Sequence, residues 1–171
     1  RRNPIRTYTS RAVRADEREV DVDFVLHGDE GPASRFAARA AVGDRVILCG
    51  PNREHGGPYG GTGFKPADGT SRFLLVADET AVPAALAILE SLPSSATGAA
   101  LLEVPHGEDA LPVSAPSGVQ VRWLPREGTA VGTSLVPAVH GLLHQWLGSA
   151  HTDDDAAVDL PTDPDGFIWD V

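Results

Sequence analysis

The chain has 171 residues, with 18 glycines, 14 prolines, one cysteine, no methionine and a formal net charge of -10. That length supports one sizeable core or two small lobes, and the acidic balance argues against nucleic acid as the main partner. The single Cys49 excludes an intrachain disulfide and fits a reducing, cytoplasmic compartment. No apolar run reaches the ~18 residues of a membrane span, so membrane insertion is not expected. The charge is unevenly spread. Residues 1–72 carry twelve Arg and Lys against ten Asp and Glu, and residues 73–171 carry two against fourteen. An anionic ligand is therefore expected in the first part of the chain. The lack of any methionine, and an apolar Phe167-Ile168-Trp169 at the far end, lead us to expect a piece of a longer protein.

The first informative stretch is Arg6-Thr7-Tyr8-Thr9-Ser10-Arg11. Read as a strand, it places Arg6, Tyr8 and Ser10 on one face and Thr7, Thr9 and Arg11 on the other. A guanidinium binds phosphate bidentately, a phenol stacks and donates a hydrogen bond, and a threonine hydroxyl bonds a ring heteroatom. An exposed β-edge has the same composition. Residues 7–14 and 17–27 are predicted as an antiparallel hairpin. In its second strand Val20, Val22, Phe24 and Leu26 alternate with Glu19, Asp21, Asp23 and Val25, which predicts one buried face.

After His27-Gly28, the string Gly31-Pro32-Ala33-Ser34 opens a short predicted helix to about Ala41. Proline suits the first helical position, and the unbonded N–H groups of a first turn attract an anion. With Arg6 upstream, this corner suits a pyrophosphate. Arg45–Cys49 is predicted as a further strand, with Cys49 buried and inert. Residues 52–71 form a Gly- and Pro-rich loop or linker, in which Arg53, His55 and Lys65 could face an anionic substrate. Gly63-Phe64-Lys65-Pro66 lacks the ending of a Walker loop.

From Arg72 the pattern changes. Arg72–Ala77, Ala99–Val104 and Val119–Leu124 read as strands buried on both faces. Helices are predicted over 81–92 and from Thr133 or Ser134 to Leu147, the second with Leu135, Val139, Leu142, Leu143 and Trp146 on one face. That order predicts an open, mostly parallel α/β sheet, whose ligands sit at the carboxyl ends of the strands. Asp78-Glu79-Thr80 lies at one such end. No metal site is expected. His140 and His144 are four apart without a third ligand, and Asp153-Asp154-Asp155 lacks the spacing of a calcium loop.

Four strings in this order, RTYTSR at 6–11, VDFVLHGDEGPASRFA at 22–37, GDRVILCGPN at 43–52 and FLLVADETAVPAALAILESLP at 73–93, resemble the siderophore-interacting protein family. These are flavin-dependent ferric-siderophore reductases of the ferredoxin reductase superfamily. LLEVP at 101–105 and VRWLPREG at 121–128 add to the likeness. The resemblance implies an α/β plus β fold: a partial antiparallel flavin-binding β-barrel over 1–52, a linker over 53–71, and an open nicotinamide-binding α/β domain over 72–171. It implies FAD as cofactor, with Arg6 at the pyrophosphate, Tyr8 on the flavin or its ribityl chain, and Thr9 near N5 as the catalytic hydrogen-bonding residue. Val25, Leu26 and His27 line the flavin side, and Gly31, Ala33 and Ser34 hold the pyrophosphate. Asp78, Glu79, Thr80 and Ala81 match the string where a nicotinamide nucleotide (NADPH or NADH) meets the flavin, and a ferredoxin is the other implied donor. Arg53 and Lys65 are the candidates for the ferric siderophore. Two other readings stand beside this one: a flavin oxidoreductase with a different acceptor, and a protein that binds ferric siderophore or haem without turnover.

Overall fold

The computed structural model describes residues 5–26, 31–50, 54, 56 and 63–148. The chain divides into two compact units, Arg1–Ser71 and Arg72–Val171.

In the first unit, strands β1 (Ser10–Arg14) and β2 (Glu19–Val22) pair antiparallel, with a bulge between Ser10 and Ala12. The turn closes through the Arg18 N–H to the Ala15 carbonyl at 3.2 Å, with Arg18 in the left-handed region. Helix α1 (Pro32–Ala37) follows, with proline in its first turn as the sequence suggests, and it is shorter than predicted. The hairpin is also shorter than predicted, because residues 5–9 and 23–26 have no ladder partner among the described residues. The expected buried face is only half realised. Val22 and Phe24 are half-buried, while Val20 and Leu26 are exposed, because no second layer covers them among the described residues. The strand predicted at Arg45–Cys49 is absent. That segment forms no ladder, its Val46, Ile47 and Leu48 are exposed, and so is Cys49, contrary to its expected burial. A run of apolar residues alone cannot supply the partner strand that a ladder needs.

Charge fastens the hairpin. Arg14 binds Asp21 through two bonds of 2.6 and 2.7 Å and reaches Glu19 at 3.0 Å. The hydrogen bond from Arg14 holds the Asp21 carboxyl below its ordinary 3.8. A depressed carboxyl contributes stability that is present above the unfolded value and is lost as pH falls through the folded one. Arg14→Ala should return the Asp21 titration, followed by carboxyl NMR, towards 3.8. An unmoved titration would show that the pair is not formed in solution.

The second unit carries a three-stranded parallel sheet in the order β3 (Arg72–Ala77), β4 (Thr97–Val104), β5 (Gly118–Pro125). Alternation sorts the side chains to two faces. Phe73, Ala77, Ala100, Leu102, Val104 and Val119 pack with helix α2 (Val82–Ser91) through Val82, Ala85, Leu86 and Leu89. On the other face Ala99, Leu101, Leu74 and Leu124 pack with helix α3 (Leu135–Leu147) through Leu135, Val139, Leu142 and Trp146. The predicted sheet, helices and apolar face of α3 are thus found within one or two residues. The central strand β4 is the most buried, which explains its apolar run Ala99–Leu102, whereas the outer strand β5 keeps Gln120 and Arg122 exposed and is not buried on both faces as expected. Near its start, Gly98 has a φ of +132° and lies so close against the Phe73 carbonyl that no side chain fits. Arg72 stacks 4.0 Å over the Trp146 ring, tying β3 to α3.

Candidate functional site

In the first unit three aromatic rings lie in series. Tyr8 lies 4.5 Å from Phe24, and Phe24 lies 6.4 Å from Phe36 of α1. This ring series ties residues just before β1 to residues just after β2 and then to the helix. Tyr8 keeps 40% exposure, Thr9 is half-buried, and Arg6 is exposed, with its guanidinium on the Ile5 carbonyl at 2.8 Å. Arg6 and Tyr8 lie ahead of the first ladder residue, so strand alternation does not fix their faces as predicted. Ser34 is buried, 8% exposed, at the start of α1, where Gly31 is the N-cap and no side chain caps the helix. A Cβ on Gly31 would come 3.7 Å from the Ser34 hydroxyl. Ala33 and Val25 are half-buried, and Leu26 is exposed. His27 and Arg53 lie outside the described residues, and Lys65 is exposed.

In the second unit, Asp78, Glu79, Thr80 and Ala81 follow the carboxyl end of β3, as expected. Asp78 organises this turn. Its carboxylate accepts the Thr80 N–H at 3.0 Å and the Thr80 hydroxyl at 2.6 Å, and its carbonyl accepts the N–H groups of Ala81 and Val82. A cleft of about 300 Å³ opens here, lined by Val76, Ala77, Asp78, Thr80, Ala81, Val131 and Leu135.

Two charged features at the same strand ends escape the sequence reading. Arg126, just past β5, forms a bidentate pair with Glu79 at 2.5 and 2.6 Å, with side-chain exposures of 13% and 16%. Its pKa is raised by the bond to Glu79 first, and also by the nearby Glu103 and Asp78 carboxylates. Glu103 of β4 is fully buried. Its carboxylate accepts the N–H groups of Gly132 at 2.6 Å, Ser134 at 3.0 Å and Leu135 at 2.9 Å. It thus holds the start of α3, and with it the Val131–Leu135 wall of the cleft. The available signal was an acid inside an apolar strand, which is rarely buried unless it is bonded.

Among the described residues, no group of three His, Cys, Asp or Glu side chains could hold a metal, and no helix is long and apolar enough to cross a membrane. His140 and His144 are both exposed on α3, and the acidic run at 153–155 lies outside the described residues.

Comparison with known proteins places both units. Residues 1–55 match the siderophore-interacting FAD-binding domain, and residues 70–167 match the siderophore-interacting protein model. The chain is 42% identical over 137 residues to an uncharacterised protein of Mycobacterium tuberculosis, covering 80% of this chain and 44% of that one. It is 38% identical, also over 137 residues, to the ferric vibriobactin reductase ViuB of Vibrio cholerae, covering 80% of this chain and 47% of ViuB. Among solved structures, the siderophore-interacting protein SipS of Aeromonas hydrophila matches with a TM-score of 0.64 and 40% identity, over 81% of this chain and 50% of SipS. A siderophore utilization protein of T. fusca matches with a TM-score of 0.59 and 32% identity, over 78% of this chain and 48% of that one. The chain therefore spans about half the length of these relatives. The mixed fold of an antiparallel pair and a parallel sheet agrees with them, although the described residues form a two-stranded pair and not a closed barrel. On these matches the chain belongs to the siderophore-interacting protein family.

Proposed function

We propose that the intact protein is an FAD-dependent reductase of ferric siderophores, taking electrons from a nicotinamide nucleotide or a ferredoxin and releasing iron as Fe(II). The observation that carries this reading is the donor set of the first unit, inside the match to a siderophore-interacting FAD-binding domain. An exposed guanidinium, a part-exposed phenol and two hydroxyls suit the diphosphate, ring and redox edge of a flavin dinucleotide. The relative named as ferric vibriobactin reductase supports the reaction class.

When bound, FAD supplies the exchange between a two-electron donor and a one-electron acceptor. The chain's own residues then position and tune. Arg6 pairs with the diphosphate, and Gly31, Ala33 and Ser34 receive it at the start of α1. Tyr8, braced by Phe24, packs on the flavin side, and Thr9 donates a hydrogen bond near N5. Val25, Leu26 and His27 line the same side. Asp78, Glu79, Thr80 and Ala81 face the nicotinamide end of a dinucleotide donor. Arg53 and Lys65 attract the anionic ferric siderophore. Reduction weakens the grip of hard oxygen ligands on iron, so release needs no metal ligand from the protein.

In the intact protein Arg6→Ala should weaken FAD binding by about 1.5–3 kcal/mol, the worth of a charge-assisted contact. Fluorescence titration with FAD checks this, and an unchanged affinity would remove Arg6 from the site.

A further inference from the structure

We infer that Asp78 closes the β3–α2 turn to the diphosphate of a dinucleotide, so that this strand end is a specificity determinant against phosphate rather than a cradle for it. The inference rests on the flavin-reductase reading only in supposing that a dinucleotide donor is offered to the protein.

Two independent observations carry it. The first is hydrogen bonding. A phosphate at the end of a parallel strand is normally held by the N–H groups that open the following helix. Here the N–H groups of Thr80, Ala81 and Val82 all donate to Asp78, at 3.0, 3.1 and 3.0 Å, and the next residue, Pro83, has none. The Asp78 carboxylate also holds the Thr80 hydroxyl at 2.6 Å. Ala81 and Val82 donate to the main-chain carbonyl, as part of the turn and helix, and Thr80 donates to the carboxylate, so a bound diphosphate would have to displace the carboxylate from Thr80.

The second is charge. Asp78, Glu79 and Glu103 stand at the carboxyl ends of β3 and β4, with Arg126 past β5. Arg126 is committed to Glu79 through both its terminal nitrogens. Three carboxylates against one guanidinium leave this end net negative, which repels phosphate. The cleft beside Asp78 is otherwise walled by Val76, Ala77, Ala81, Val131 and Leu135. Such a wall accepts a flat uncharged ring more readily than a polyanion.

The test uses ADP-ribose and its 2′-phosphate, which carry the phosphates of NADH and NADPH without the nicotinamide. Binding to the intact protein is measured by calorimetry for the parent, Asp78→Asn and Asp78→Gly. Asn keeps the bond to the Thr80 N–H and removes the charge. It should tighten binding about fivefold, the worth of one unit charge near a phosphate in water. Gly also frees the Thr80 N–H and hydroxyl and should tighten binding further, by about tenfold or more over the parent. Tight parent binding that either substitution weakens would overturn the inference, as would equal affinities in all three proteins. Circular dichroism of each variant verifies the fold, and Asp78→Asn keeps the test open should the glycine variant misfold. The titration does not need flavin. Failure to retain FAD, read from the absorbance of the same samples, would therefore count against the proposed reductase and not against this inference.

Discussion

Glu103→Ala is expected to destabilise the α/β unit by about 3–5 kcal/mol, the range for stripping a buried charged group from its partners. The side chain is fully buried, and three backbone N–H groups, of Gly132, Ser134 and Leu135, depend on it. Alanine would leave those donors without an acceptor and leave a cavity under the start of α3. Urea unfolding of the intact protein would show a lowered midpoint for this unit. Hydrogen exchange would localise the damage, with protection lost first at those three amides. Glu103→Gln keeps one carbonyl acceptor, turns an NH₂ towards backbone donors, and should fall between the parent and alanine. Unchanged exchange at Ser134 and Leu135 in Glu103→Ala would refute the capping role.

Arg126→Ala has the second-largest expected effect, about 2–4 kcal/mol. Removing one partner of a buried pair costs about 3–5 kcal/mol, and the lower figure allows for the water that still reaches side chains 13% and 16% exposed. The loss removes the guanidinium that interacts with all three carboxylates, Glu79 first and also Glu103 and Asp78. A double-mutant cycle with Glu79→Ala separates the pair from simple loss of packing. The double variant should cost clearly less than the two single costs added. Strict additivity would mean that the 2.5 and 2.6 Å bonds contribute nothing to stability.

The second unit was legible in the sequence because each element there is specified locally. The apolar run 99–102 marks a strand covered on both faces, and Leu135, Val139, Leu142 and Trp146 repeat at helical spacing; 119–124 was read as buried on both faces too, but it is the outer strand of the described sheet and keeps Gln120 and Arg122 exposed. The first unit was less legible. Val20, Val22, Phe24 and Leu26 alternate correctly, yet alternation states only which face could be buried. Whether it is buried depends on a covering layer, and for Val20 and Leu26 none is present among the described residues. The same limit applies to Arg45–Cys49, where β-branched residues without a ladder partner remain exposed. At the candidate site, Asp78-Glu79-Thr80 was found because it follows a strand end directly. Glu79–Arg126 was missed because the partners are 47 residues apart and only the parallel register of β3, β4 and β5 brings them together. Glu103 was within reach, as the one acid in the buried part of β4, but its partners lie past β5, 29 and 31 residues further along the chain, where a helix start was legible and its acceptor was not.

The measurement that bears most directly on the proposed function is flavin retention followed by reoxidation. The intact protein is incubated with FAD and desalted, and its absorbance is recorded between about 300 and 600 nm. The retained flavin is then reduced chemically without air and mixed with a ferric siderophore beside an Fe(II) chelator. The reductase reading predicts retained flavin bands, their return to the oxidised form on mixing, and capture of Fe(II). A folded protein that retains no flavin and shows no spectral change on titration would contradict it, as would retained flavin that ferric siderophore fails to reoxidise.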